Sequence, residues 1–161
     1  LDAAITEASF LNKLGGKKMY ILKTEHCFDS AHFLENYTGK CANIHGHRWR
    51  VEAEIQSEAL SGSGQLEGMV TDFGDLKREI KDMVDYYDHA LIIQQETMRK
   101  ETLHCLKDDG FRIVEVDFRP TAENFAAFFY KTMKDKGYNV KRVAVYETPA
   151  NCAVYEEGGV H

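Results

Sequence analysis

Proline is nearly absent from this chain: Pro120 and Pro149 are the only two in 161 residues. With no proline-rich stretch, no low-complexity tract and no internal repeat, nothing marks a linker or a repeat array. No apolar run approaches the roughly 20 residues that a membrane-crossing helix needs. The N-terminus lacks the basic-then-apolar pattern of a secretory signal. Positive charge is also short, with 20 Lys and Arg against 26 Asp and Glu and a net charge of -6, which argues against a broad grip on a phosphate backbone. The basic spots at Lys134 to Lys136 and Lys141-Arg142 read as a solvated helix end and a strand start. Four cysteines occur (Cys27, Cys41, Cys105 and Cys152) without a Cys-x-x-Cys pair, so neither a zinc ribbon nor a disulfide scaffold is expected and the thiols read as reduced. A cytoplasmic protein without nucleic-acid or membrane partners is the expectation.

What is present suits one α+β domain. Hydrophobic residues make up 43% and charged residues 29%, ordinary values for a globular chain. Residues 1–18, ending in Gly15-Gly16-Lys17-Lys18, carry no strand pattern and are expected to be an extension, native or appended, ahead of a domain at 19–156. Residues 157–161 are expected to be loose. Met19 to Phe33 reads as a long strand, with Tyr20, Leu22, Thr24, His26, Phe28, Ser30 and His32 on one face. His45 to Gln56 alternates as cleanly, apolar at Trp49, Val51, Ala53 and Ile55 and charged between them. Asp72 is placed to cap a helix with Phe73, Leu76, Ile80, Met83, Val84 and Tyr87 on its buried stripe. Thr121 caps a second helix that stops at Gly137. Strands at Val140 to Glu147 and Cys152 to Glu156 close the chain. Between the helices, Leu91-Ile92-Ile93 is short and apolar, Thr97 to Lys107 fits a helix, and Phe111 to Phe118 fits an edge strand. The expected fold is a four-stranded antiparallel sheet with two helices on one face. Its open edges invite pairing with other subunits.

The chemistry gathers around histidine. In a strand, the imidazoles of His45-Gly46-His47 point the same way, about 6–7 Å apart, and both reach a single ion. If the first two strands pair through the loop at 34–44, His32 joins them. Three neutral imidazoles form a zinc ligand set with a coordination position left for water or substrate. His26 reads as structural. Cys41, four residues before His45, fits a base or nucleophile whose thiol ionises near a dication; a fourth metal ligand or an inert loop thiol fits as well. Asp88-His89 fits either a tautomer-fixing pair or a solvated helix end. Glu147 offers two oxygens to a ring that presents an amino group beside an N–H, or is a strand-end glutamate held by Thr148 and Asn151.

Taken in order, Phe28-Asp29-Ser30-Ala31-His32, Cys41-Ala42-Asn43-Ile44-His45-Gly46-His47, Asp72-Phe73, Asp88-His89, Pro120-Thr121-Ala122-Glu123-Asn124 and Tyr146-Glu147-Thr148 resemble the 6-pyruvoyltetrahydropterin and 6-carboxytetrahydropterin synthase family. The resemblance covers about Met19 to Glu156. It implies the tunnelling fold, in which three subunits close a barrel and two trimers stack into a hexamer. It implies zinc on His32, His45 and His47, and Cys41 as the proton-abstracting residue. Asp88 and His89 would form a relay across a subunit boundary, and Glu147, with Thr148, would anchor the pterin and join the relay. Thr121 and Glu123 fall in a second pterin-side motif. The three-residue gap between Cys41 and His45 resembles the carboxy-forming enzymes of queuosine biosynthesis. The implied reaction takes 7,8-dihydroneopterin triphosphate to 6-carboxy-5,6,7,8-tetrahydropterin, acetaldehyde and triphosphate. A pyruvoyl-forming or dihydroneopterin aldolase-like activity is the enzymatic alternative, and a closed zinc interaction module is the non-enzymatic one. Residues 90–119 exceed the short loop of many members and are expected to reshape the pocket rim.

Overall fold

Two strands of equal length dominate the architecture because their apolar and polar residues alternate over thirteen positions each. In the computed structural model, which describes residues 18–158, β1 (Tyr20–His32) and β2 (His45–Ser57) pair antiparallel from Tyr20 opposite Ser57 to His32 opposite His45. The remaining elements are α1 (Phe73–Asp85), β3 (Ala90–Gln94), α2 (Lys100–Asp108), β4 (Ile113–Val116), α3 (Ala122–Asp135), β5 (Val140–Thr148) and β6 (Asn151–Tyr155). They form one sheet in the order β4-β3-β1-β2-β5-β6.

The α+β class is as expected, but the strand count is corrected from four to six among the described residues. The added strands come from residues 90–119. β3 runs parallel to β1 (Ser30 opposite Ala90) and β4 runs parallel to β3 (Leu91 opposite Ile113). Ile92 and Ile93 point to opposite faces, yet both are buried. A strand covered on both sides shows no alternation, so its pattern does not separate it from a helix segment. The sheet is therefore mixed. Its edges are β4, where an edge strand was expected, and β6.

α1 packs on β1, and α3 packs on β5 and β6. Between helices and sheet lies an aromatic core in which Phe28 stacks on Trp49 (5.9 Å, 5°) and Phe125 stacks on Phe129 (5.6 Å, 19°). The helices start where the sequence marks them. Asp72 Oδ1 accepts from the backbone N–H of Gly74 and Asp75, and Thr121 Oγ1 accepts from Asn124 N–H. Gly137 ends the α3 region at φ 92°, a conformation that costs other residues more. Phe73 was expected on the buried stripe of α1 but is exposed, since it occupies the first helical position, before the helix meets the sheet. The third helix, α2, borders the opposite side of the sheet, where Leu106 lines a cavity with Leu91 and Ile113.

That opposite face carries charges. Glu52 and Glu54 are buried there and paired, Glu52 with Lys23 and Arg50 and Glu54 with Lys141 and Arg142. Burial pushes Glu52 up, but hydrogen bonds from Lys23 and Tyr146 and the two nearby cations outweigh it and hold its carboxyl below the usual range. Among the described residues all four cysteines are free, and no helix is long and apolar enough to cross a membrane. The expected 1–18 extension, apart from Lys18, lies outside the described residues, as do the last three of the five closing residues.

Phe129→Ala should cost about 3–5 kcal/mol of unfolding free energy, whereas Asp72→Ala should cost about 1 kcal/mol. Denaturant titration of both variants checks the ranking.

Candidate metal and catalytic centre

The register of β1 against β2 builds the site. His32 is the last residue of β1 and stands opposite His45, and the next pair on the same face is Ser30 with His47. The intervening loop is closed by Leu34 N–H donating to the Cys41 carbonyl (2.8 Å) and by a turn at Lys40–Ala42. The three rings gather with centroids 4.5 Å (His32–His45), 5.3 Å (His32–His47) and 4.9 Å (His45–His47) apart. Trp49, the single tryptophan and fully buried, is the floor; it meets His32 edge-on at 5.0 Å and His47 at 5.5 Å.

Hydrogen bonds define what the rings can do. His32 Nδ1 lies 2.7 Å from the Pro120 carbonyl oxygen and His45 Nδ1 lies 2.8 Å from that of Asn43. A carbonyl only accepts, so both Nδ1 atoms carry the proton, and in the neutral rings both Nε2 atoms present lone pairs. Those two Nε2 atoms are 3.1 Å apart. His47 Nε2 is buried without a hydrogen-bond partner. The facing lone pairs of His32 and His45 repel one another unless a cation lies between them, and the partnerless His47 Nε2 stands beside them, so the donor set fits a metal ion. Burial pushes His32 from the ordinary 6.5 down to about 4, against the pull of the Pro120 carbonyl and with help from His45 and His47. His47 is lowered too, chiefly by burial, with Glu147 opposing. Burial thus keeps His32 and His47 neutral, the form that binds a metal.

Glu147 joins this group. Its Oε1 lies 3.5 Å from His32 Nε2 and 3.6 Å from His47 Nε2. One ligand atom from each of the four residues lies within 4.8 Å of all the others. Glu147 was expected beside a ring; the structure brings it within ligand distance of the imidazoles. Cys41 is half-buried in the turn ahead of β2 and stands outside this ligand group.

Asp88 and His89 do face each other, with His89 Nδ1 donating to Asp88 Oδ2 at 2.7 Å. Neighbouring side chains rarely meet; here they do because His89 has φ 52°, a left-handed conformation that His enters more readily than most residues. β1 anchors the pair. Asp88 Oδ1 accepts from Asp29 N–H (2.8 Å) and His89 N–H donates to the Asp29 carbonyl (2.7 Å). The Asp29 N–H, with the His89 contact, holds the Asp88 carboxyl below its usual range against a smaller effect of burial. The His89 side chain is 80% exposed, and it shares a cavity of about 680 Å³ with Gly46, His47, Leu106 and Phe111.

The remaining expected residues are spread around the centre. Thr148 has its hydroxyl engaged by Asn151 N–H (3.1 Å), and it lines a cavity of about 450 Å³ with Glu147, His47 and Pro149. Thr121 caps α3, and Glu123 is exposed in its first turn. His26 lies 3.4 Å from Asp85 on α1, a structural position. Sequence reasoning missed the Pro120 carbonyl, since no side-chain pattern announces a backbone acceptor. Trp49 was legible as the next member of the His45, His47 alternation but had no assigned place at the site.

A profile of the 6-pyruvoyl tetrahydropterin synthase family matches residues 21–158. The 6-carboxy-5,6,7,8-tetrahydropterin synthase of Haemophilus influenzae is 35% identical over 142 residues, covering 86% of this chain and all of the relative. Among solved structures, an uncharacterized protein from Wolinella succinogenes superposes with a TM-score of 0.72 at 21% identity, over 88% of this chain and 99% of that one. The 6-pyruvoyl tetrahydropterin synthase of Caenorhabditis elegans gives 0.60 at 22% identity, over 88% and 97%. These two structures show the shared fold.

The buried rings set a pH response for the metal-free protein. His32 titrates lower in the folded state (about 4) than in the unfolded chain (6.5), so its contribution is complete above pH 6.5 and is lost as pH falls towards 4. Urea titrations of chelator-treated protein should show stability declining across that window by up to about 1.4 kcal/mol per pH unit. His32→Gln should flatten the decline; an unchanged slope would contradict a buried neutral ring.

Proposed function

The chain belongs to the 6-pyruvoyl tetrahydropterin synthase family, and we propose that it is the carboxy-forming lyase of that family. In this reading it converts 7,8-dihydroneopterin triphosphate to 6-carboxy-5,6,7,8-tetrahydropterin, acetaldehyde and triphosphate at a zinc ion, as a step in queuosine biosynthesis. One observation carries the reading: three imidazole Nε2 atoms converge above Trp49, with two of the rings oriented by backbone carbonyls so that they present lone pairs. The full-length similarity to the Haemophilus influenzae enzyme supports the carboxy-forming product.

Zinc on His32, His45 and His47 would supply Lewis acidity towards the hydroxyls of the substrate side chain. The protein groups do the rest. Cys41 takes a proton from the side-chain carbon. His89, held in one tautomer by Asp88, has its Nε2 free to pass protons on. An 80% exposed catalytic imidazole suits a relay completed against a second subunit, and the proposed assembly is a hexamer of two stacked trimers. Glu147, with Thr148 beside it, accepts from substrate donors. Thr121 and Glu123 stand just beyond the carbonyl that holds His32 and are proposed as a second set of pterin contacts. The chain's β3-α2-β4 segment supplies Leu91, Leu106 and Phe111 to the cavity beside His89, and so shapes the rim.

The alternative in which Cys41 closes a structural zinc site draws no support from the ligand group, which contains Glu147 in place of the thiol. A pyruvoyl-forming activity differs in product, so incubation with 7,8-dihydroneopterin triphosphate followed by acetaldehyde detection separates the two.

Cys41→Ala should retain one metal per chain and lose at least about 100-fold in turnover, while His45→Ala should lose the metal. Metal analysis and product assay on the same preparations test both. Wild-type turnover in Cys41→Ala would remove the thiol from the mechanism, and a full complement of metal in His45→Ala would remove that ligand.

A further inference from the structure

We propose that Glu147 is an exchangeable fourth ligand, closing the metal site in the resting protein and giving up its place to the side-chain hydroxyls of an arriving substrate. The inference deepens the function proposed above and takes from it the identity of the arriving group.

The position of the carboxylate is the starting point. Its Oε1 lies 3.5 and 3.6 Å from the Nε2 atoms of His32 and His47. His32 commits its Nδ1–H to the Pro120 carbonyl, so the neutral ring turns a lone pair, not a donor, towards the carboxylate. His47 Nε2 has no hydrogen-bond partner either. The His32 lone pair facing a carboxylate oxygen repels it, and His32 is only 1% exposed, so water does little to screen that contact. A cation among the four atoms turns that repulsion into coordination, and three nitrogens with one carboxylate oxygen make a complete tetrahedral set.

The four donors are not held alike. Carbonyls fix His32 and His45, and His32 and His47 lie edge-on over the Trp49 floor. No hydrogen bond holds the Glu147 carboxylate among the described residues, and its side chain is 31% exposed. It sits where the β5–β6 pairing slips, between Tyr146 and Thr148. It also faces the cavity of about 450 Å³ that Thr148, Pro149 and His47 line, so a molecule entering there reaches Glu147 as well as His47. His32 is buried, His32 and His45 are tied to carbonyls and His47 packs on Trp49, whereas no such tie holds Glu147. Exchange therefore falls on Glu147.

Cobalt(II) is the probe, because its visible bands report the number and kind of its ligands and do not depend on turnover. With 7,8-dihydroneopterin as the diol-bearing ligand, the wild-type bands should shift on binding. Glu147→Gln should differ from wild type before the ligand is added and bind cobalt(II) about 10-fold more weakly. With both proteins saturated by the ligand, the two spectra should coincide, because residue 147 then ligates the metal in neither. Identical free-state spectra and cobalt affinities would show that Glu147 is not a ligand, and bound spectra that still differ would show that it is not displaced. Failure of the underlying site has its own signature: wild-type protein that takes up no stoichiometric cobalt(II), or takes it up undiminished in His45→Ala.

Discussion

The antiparallel register of β1 and β2 is the constraint from which the rest follows. The two strands place His32 against His45 and Ser30 against His47. A slip of one residue would turn every side chain of one strand to the other face and scatter the imidazoles. The apolar alternation prevents that slip, because Phe28, Trp49, Val51 and Ala53 must all face the helices to be buried. Core packing and site assembly are therefore one event. Trp49, which stacks on Phe28 in the core, is also the floor beneath the histidines.

Desolvation gives the centre its chemistry. A buried imidazole is costly to charge, and those of His32 and His47 are held neutral by burial. The Pro120 and Asn43 carbonyls then decide which nitrogen of His32 and of His45 keeps the proton. The opposite face of the sheet solves a different problem. Its carboxylates Glu52 and Glu54 are buried as ions and are matched by Lys23, Arg50, Lys141 and Arg142. One sheet thus carries lone pairs ready for a cation on one side and balanced charges on the other.

The segment from Asp88 to Arg119 links these parts. His89 enters a left-handed conformation that folds its ring back onto Asp88, and the backbone of Asp29 fixes both residues at the end of β1. β3 then adds to the β1 edge, and the chain returns through α2, β4 and the Pro120 carbonyl to His32. The added strands, the Asp88-His89 pair and the orientation of His32 consequently share one stretch of chain.

The sequence by itself determined the local elements and the donor types. The alternation of β1 and β2, the caps Asp72 and Thr121, the stop at Gly137 and the convergence of His32 with His45 and His47 all follow from periods and spacings, because such signals are set by near neighbours. Tertiary structure alone decided the parallel placement of β3 and β4, since a strand buried on both faces shows no alternation. It alone brought Glu147 to the imidazoles and the Pro120 carbonyl to His32, contacts spanning 115 and 88 residues. It also closed the Asp88-His89 hydrogen bond through a backbone angle that residue identity does not announce. Contacts between distant segments depend on how strands order themselves in a sheet. That order is chosen by burial summed over the whole domain, which no single window of sequence contains.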